Sequence, residues 1–169
     1  MASSYVVGDN IVKNKVIIII SATETGKSRL SIDLVTRFPF EIINSDKIQV
    51  YKGLDIVSNK VPISKRLGVP HHLLGQVEQD VDYSFVDFCR DIIAIIETIL
   101  KSYRVPIIVG GSNSFLEALV EDPVYNFKSS YECCFIWMDV SFPVLYSYVS
   151  KRVDQMVDAG LVGECTRNI

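Results

Sequence analysis

The chain has 169 residues, of which 49% are hydrophobic, and a formal net charge of −3. This length and apolar content suit one domain with a hydrophobic core. The slight acidity argues against a nucleic-acid partner, because nucleic-acid phosphates attract clustered positive charge, and no apolar run is long enough to cross a bilayer. We therefore expect neither a membrane nor a nucleic-acid partner, and we take a monomer as the default assembly.

The cysteines and the first fifteen residues bear on the compartment. The four cysteines show no C-x-x-C spacing, which favours reduced thiols over a disulfide framework or a metal site. Residues 1–15 lack the apolar centre of a signal peptide and the arginine- and serine-rich pattern of a transit peptide. We therefore expect a cytoplasmic protein.

Strands and helices alternate along the chain. In chain order we predict a strand at 16–20, a helix at 27–38, a strand at 40–43, an irregular stretch at 54–75, a helix at 84–101, a strand at 106–109, a helix at 113–120, a strand at 134–138 and a helix at 143–159. The first strand is a continuous apolar run, as expected for a strand buried on both faces. This alternation predicts an α/β fold in which a parallel sheet carries helices on both faces, and the motif described next makes it P-loop NTPase-like.

A phosphate-binding motif follows the first strand. It matches the P-loop pattern G-x-x-x-x-G-K-[ST], with a serine in place of the first glycine. We predict that the whole loop binds a diphosphate or nucleotide, through Ser21, Ala22, Thr23, Glu24, Thr25, Gly26, Lys27 and Ser28. Backbone N–H groups of such a loop converge on phosphate oxygens. Lys27 adds a positive charge and the Ser28 hydroxyl can coordinate Mg²⁺, the cofactor that we expect.

Glu24 is the residue of this loop that fits a phosphate site least well. A carboxylate that faces a bound diphosphate repels it, and the repulsion grows when water is excluded. We expect Glu24 to weaken diphosphate binding unless its side chain rotates into solvent.

Ligands of parallel α/β sheets bind beyond the carboxyl ends of the strands, and further polar residues fall there. We predict binding contacts from Ser45, Gly110, Gly111 and Ser112. Asp46 follows the second strand and could hold Mg²⁺ through water or act as a base; the alternative is an aspartate that only shapes a turn.

Three other polar positions have competing interpretations. Asp139 also follows a strand and could take the place of Asp46 as the acidic group of the site. The adjacent His71 and His72 point in different directions and are expected to make structural hydrogen bonds. Arg152 lies on the last predicted helix, where a solvated face is the simplest interpretation.

Several of these segments together resemble the isopentenyltransferase, or IPP transferase, family. The resemblance runs in order over residues 16–162 and is carried by residues 21–33, 41–47, 49–52, 68–74, 110–114 and 152–162. The plant adenylate isopentenyltransferases, or cytokinin synthases, are the most similar subclass. In the tRNA-modifying subclass we expect a sizeable insertion where only residues 121–131 stand here, and the acidity of the chain disfavours a tRNA surface.

The resemblance implies a reaction and a role for particular residues. The family transfers a dimethylallyl group from dimethylallyl diphosphate to the N6 amine of adenine, here in AMP, ADP or ATP. By resemblance Thr23, Lys27 and Ser28 hold the diphosphate and Mg²⁺, Asp46 accepts the N6 proton, and Arg152 neutralises the leaving diphosphate. Family membership also makes a plastid or mitochondrion possible.

The resemblance also implies a domain division. We expect an extension at residues 1–15, a prenyltransferase core at 16–162 and a short tail at 163–169, with the fold incomplete at the C-terminus because family members continue further. Three alternatives stay open: a tRNA dimethylallyltransferase, a P-loop kinase of a small metabolite, and an inactive truncated copy, since Ser21 and Glu24 depart from the P-loop pattern.

Overall fold

The structure is a computed structural model that describes residues 5–7, 10–12 and 14–167. The strands of this part are β1 (Tyr5–Val7), β2 (Asn10–Val12), β3 (Asn14–Ile20), β4 (Phe40–Asn44), β5 (His71–His72), β6 (Val105–Gly110) and β7 (Tyr131–Trp137). Its α-helices are α1 (Lys27–Val35), α2 (Phe85–Lys101), α3 (Asn113–Glu121), α4 (Phe127–Ser130), α5 (Phe142–Asp158) and α6 (Leu161–Arg167).

The central sheet has five strands in the order β5-β4-β6-β3-β7, and all neighbours are parallel. In the middle of the sheet Ile18 pairs with Ile108 on one side and with Phe135 on the other. β1 and β2 form a separate antiparallel pair. The predicted parallel sheet is confirmed, and all its carboxyl ends lie along one edge.

Helices cover both faces of this sheet, as predicted. On one face α2 contributes Ile92 and Ile96, which pack with Leu116 and Phe127 in one buried cluster. On the other face Ile32 of α1 packs with strand residues in a second cluster. Burial of such branched apolar side chains supplies the main driving force for folding.

Four local predictions were wrong or incomplete. α1 ends at Val35 rather than at residue 38, because a residue before Pro39 is driven out of the helical conformation. Within the stretch predicted as irregular, β5 forms because it pairs with β4. The short helix α4 was not predicted. α6 occupies most of the predicted tail, so the boundary at residue 162 falls inside a helix.

The predicted extension lies partly outside the described residues. Its described part contains β1, β2 and the first residues of β3. In the part of the chain that the structure describes, no helix has the length and apolar character needed to span a membrane.

The β7 side of the sheet differs from the rest. β7 is an edge strand, and its Phe135 and Trp137 are exposed. α5 follows it and buries none of its residues.

Candidate active site

The predicted site residues meet at the carboxyl edge of the sheet. An open cavity of about 1010 Å³ lies there. Its lining includes all eight P-loop residues together with Asp46, Gly110, Gly111, Ser112 and Arg152. Segments that are far apart in the sequence therefore form one site, as the strand topology predicted, while the binding role of each residue stays a prediction.

The P-loop joins β3 to α1 through polar contacts of its own. Gly26 has a φ of 91°, a left-handed conformation that glycine adopts without strain. The Ser21 hydroxyl contacts the Thr25 hydroxyl across the loop, and Thr25 also donates to the Ala22 carbonyl at 3.0 Å. Ser21 is not among the described residues with positive φ, so a serine at the first position fits this loop without backbone strain.

Lys27 is folded back onto the loop. Its ammonium donates to the Ser21 carbonyl at 3.1 Å and to the Ala22 carbonyl. Burial lowers the pKa of Lys27, and the negative charge of Asp46 partly opposes that shift. The ammonium is thus already held over the loop, where a phosphate oxygen would replace the two carbonyls as its partner.

Glu24 does not point into solvent. Its carboxylate forms an ion pair with the Arg152 guanidinium, and the two side chains are only 21% and 18% exposed respectively. Asn59 donates to the same carboxylate at 3.4 Å. Arg152 therefore lies at the P-loop rather than on a solvated face, although α5 is remote from the loop in sequence.

Asp46 is positioned by the end of β4. The side-chain amide of Asn44 donates to the Asp46 carbonyl at 3.0 Å and to the Leu73 carbonyl at 2.8 Å. One Asp46 carboxylate oxygen accepts from the Ile48 N–H at 3.0 Å. A Cβ added to Gly111 would lie 3.5 Å from the other oxygen, so that oxygen rests against the glycine turn. We did not predict the role of Asn44, although it is polar and ends a buried strand.

Ser45 requires a correction. It is completely buried and does not line the cavity, so the predicted direct contact with a ligand does not fit the structure. A Cβ at Gly110 would come within 2.6 Å of the Ser45 carbonyl carbon, which shows how closely the two backbones approach. Gly110 is therefore needed for packing against β4, and Ser112 fixes the same junction by accepting from the Lys47 N–H at 3.1 Å.

The other polar candidates lie away from the cavity. Asp139 accepts from the Val140 N–H at 2.9 Å and does not line the cavity, so Asp46 is the better candidate for the acidic group. His71 is bonded to the Val69 carbonyl at 2.8 Å, and His72 to Glu41 at 2.6 Å. The structural interpretation of the two histidines is confirmed.

One wall of the cavity was not predicted. It comes from the stretch assigned as irregular and includes Asn59, Val61, Pro62, Ser64, Lys65 and Leu67. Gln49 holds this wall by donating to the carbonyls of Ser58 and Asn59 at 3.0 and 3.2 Å. Periodicity could not have placed the wall, because it has no regular secondary structure beyond a single 3₁₀ turn.

The oxygen donors of the cavity are compatible with Mg²⁺. Among the described residues no group of three or more His, Cys, Asp and Glu side chains could hold a metal ion by itself. Ser28 and Asp46, which carry a hydroxyl and a carboxylate, both line the cavity. Mg²⁺ prefers hard oxygen ligands, keeps several waters and takes part of its shell from substrate phosphates, so this sparse donor set fits.

Comparison with known proteins adds to the geometry. The family model for IPP transferase matches residues 49–130. The chain is 62% identical, over 92% of its length, to Adenylate isopentenyltransferase 5, chloroplastic, of Arabidopsis thaliana, and spans 47% of that protein. It is 52% identical over 90% of its length to Adenylate isopentenyltransferase 7, mitochondrial, of the same plant, and spans 46% of it. It is 45% identical over 86% of its length to Adenylate isopentenyltransferase of Humulus lupulus, and spans 49% of that protein. The chain thus spans about half the length of these curated relatives.

Solved structures have the same architecture. A tRNA isopentenylpyrophosphate transferase from Bacillus halodurans superposes with a TM-score of 0.83 at 25% identity, over 92% of this chain and 70% of that one. A eukaryotic dimethylallyltransferase acting on tRNA gives a TM-score of 0.81 at 25% identity, over 91% of this chain and 55% of that one.

Proposed function

Since the chain belongs to the IPP transferase family, we propose that it transfers a dimethylallyl group from dimethylallyl diphosphate to the N6 amine of AMP, ADP or ATP, a step of cytokinin biosynthesis. The observation that carries the proposal is the 62% identity, over 92% of this chain, to a relative named as an adenylate isopentenyltransferase. The cavity supports it because phosphate-binding groups and a carboxylate line the same space.

The reaction requires a base for the amine and stabilising groups for the leaving diphosphate. The N6 nitrogen forms a bond to the first carbon of the dimethylallyl group while the bond from that carbon to the diphosphate oxygen breaks. The amine loses a proton, and the diphosphate leaves with an added negative charge. A base must therefore stand near the amine, and cations and N–H donors must surround the leaving group.

Asp46 is the base in this proposal. Asp46 lines the cavity, and Asn44 and the Ile48 N–H fix the turn that carries it. The N6 proton passes to a carboxylate oxygen of Asp46. A fixed base of this kind is typically worth about 10²–10⁴ in rate.

The P-loop and Arg152 take the diphosphate. The N–H groups of the loop and the Lys27 ammonium bind its oxygens, and the Arg152 guanidinium balances the charge that develops on departure. The Ser28 hydroxyl would hold Mg²⁺. Bound Mg²⁺ supplies positive charge to the leaving diphosphate.

Free adenylates are favoured over tRNA as the acceptor. A relative named for adenylates is 62% identical to this chain, whereas the two solved tRNA enzymes described above are 25% identical to it. The net charge of −3 also provides little attraction for a polyanionic surface.

The test is incubation of the purified chain with labelled dimethylallyl diphosphate and Mg²⁺, together with AMP, ADP, ATP or an unmodified tRNA in separate reactions. The proposal expects label on the N6 nitrogen of a free adenylate. Label on tRNA alone would replace it with tRNA modification, and phosphoryl transfer from ATP would replace it with a P-loop kinase. If none of the acceptors gives a product, the result would indicate that the chain is inactive.

Compartment and assembly are separate proposals. The cytoplasm and an organelle are the two candidate compartments, and names such as "chloroplastic" and "mitochondrial" among the relatives favour an organelle. Imaging of a C-terminally tagged protein in plant cells decides between them. We expect a monomer in solution, which light scattering coupled to gel filtration measures directly.

A further inference from the structure

The P-loop contains a negatively charged side chain, the carboxylate of Glu24. Glu24 lies in the middle of the loop with a φ of 59°, a left-handed conformation that is costly for a residue with a side chain. Its carboxylate pairs with Arg152 and accepts a hydrogen bond from Asn59 at 3.4 Å. Two cavity walls therefore converge on one carboxylate.

The carboxylate stands where anion-binding groups are concentrated. Glu24, Arg152, Lys27 and Ser28 all line the same cavity. In the described structure the guanidinium of Arg152 is thus neutralised by an anion of the protein itself.

Because the Glu24–Arg152 ion pair is partly buried, each charge depends on the other for stabilisation. The side chains of Arg152 and Glu24 are 18% and 21% exposed, so both charges have lost most of their water. The same burial lowers the pKa of Arg152, a sign that its charged form is poorly hydrated here. A partly buried guanidinium needs an anionic partner. A diphosphate that reaches Arg152 therefore has to take the place of the carboxylate.

We infer that Glu24 competes with the donor diphosphate for Arg152 and so sets the affinity of the donor site. The inference rests on the proposed function, because it takes Arg152 as a ligand of the diphosphate. It also explains why a residue that repels phosphate fits into a phosphate loop: its charge is compensated until the ligand arrives.

The first experiment measures binding of inorganic pyrophosphate, with Mg²⁺, by isothermal titration calorimetry. Glu24→Gln removes the charge while keeping the size and the backbone strain of the side chain. We expect it to bind pyrophosphate about tenfold more tightly than the parent. Glu24→Gly also relieves the left-handed strain and is expected to bind most tightly. The expected order of affinity for pyrophosphate, from tightest to weakest, is the glycine variant, the glutamine variant and the parent. Moderate salt should reduce the difference between the glutamine variant and the parent.

A double-mutant cycle identifies Arg152 as the contested partner. In the Glu24→Gln background, Arg152→Gln removes a free ligand contact and should weaken binding about tenfold. In the parent background the same change should weaken binding less than about threefold, because Arg152 is already engaged by Glu24. The matched control is Glu121→Gln, which removes the same charge from an exposed ion pair with Lys128 outside the cavity. It should leave pyrophosphate binding unchanged.

The outcomes separate this inference from the proposed function. Equal affinity of the parent, Glu24→Gln and Glu24→Gly overturns the competition alone. Weaker binding by Glu24→Gln with a lower melting temperature overturns it too, since Glu24 would then hold the loop in its binding conformation. If neither the parent nor any Glu24 variant binds pyrophosphate, the donor site fails, and the inference fails with it. Binding with the expected order but without prenyl transfer leaves the competition standing and refutes the proposed reaction.

Discussion

Lys27 and Asp46 rest on buried strands, whereas Arg152 extends from a helix that buries none of its residues. Ile19 of β3 and Ile43 of β4 are fully buried, and the chain leads from these strands directly to Lys27 at the start of α1 and to Asp46. α5 instead follows an edge strand. Polar contacts connect the last two helices to earlier parts of the chain: Arg152 pairs with Glu24 of the P-loop, and Glu164 of α6 accepts from the N–H groups of Ile56 and Val57, which precede the cavity wall around Asn59.

The difference shows two ways of positioning a functional group. Close packing fixes a position because any shift opens a void or forces an overlap. An ion pair or a carboxylate–amide contact can instead be exchanged for a ligand, because the ligand offers the same kind of partner. We call the side of the cavity that carries Lys27 and Asp46 the packed side, and we expect it to have the same conformation with and without a ligand. The α5 side, which carries Arg152, should change its contacts when a ligand binds.

The sharpest test of the packed side is Asp46→Ala. It should lower the rate of prenyl transfer about 10²–10⁴-fold while leaving pyrophosphate binding nearly intact, because the base acts only on the acceptor. Steady-state rates and calorimetry measure the two quantities. Asp139→Asn is the matched control, since Asp139 lies outside the cavity, and it should keep full activity. Undiminished turnover by Asp46→Ala would exclude this role.

The packing contrast itself can be tested by stability. Ile108 is fully buried in β6, and Ile108→Ala should cost about 2–5 kcal/mol of unfolding free energy through lost burial and a cavity. Val157 of α5 is 50% exposed, and Val157→Ala should stay within about 0.5 kcal/mol. Urea denaturation measures both. Similar losses for the two variants would mean that α5 is packed more firmly than its exposure indicates.

Lys27→Ala addresses the phosphate groups of the packed side. It should weaken pyrophosphate binding and lower kcat/KM together, each about 10–100-fold, because the lysine contacts a group that is charged in both the ground and transition states. Lys15→Ala is the control, since that lysine is exposed near the start of the same strand β3. If Lys27→Ala bound pyrophosphate as tightly as the parent, the P-loop would not be the donor site.

The smallest expected effect concerns the α6 contact. Glu164→Gln should weaken the hydrogen bonds to the Ile56 and Val57 N–H groups and cost about 1 kcal/mol of local stability. Amide hydrogen exchange at residues 56 and 57 should then become about fivefold faster, while exchange in β3 and β6 stays unchanged. Faster exchange throughout the sheet would contradict a purely local contact.

The sequence determined the elements whose signals are local. The apolar run before the P-loop predicted β3, the motif predicted the loop and the start of α1, and strand ends followed by polar residues predicted Asp46 and the glycine turn. These predictions of position succeed because a buried parallel strand and a phosphate loop each need a particular run of neighbouring residues. The strand topology then implied that their ends meet.

The tertiary structure alone decided the contacts between distant segments. Glu24 pairs with Arg152, the Glu164 carboxylate lies 108 residues from the Ile56 N–H that it binds, and Ser45 is buried beneath Gly110. A charged residue carries no local signal for its partner, because an ion pair depends only on which side chains the packed elements bring together. The same holds for the wall around Asn59, whose irregular backbone is fixed by hydrogen bonds from Gln49 rather than by a repeating pattern.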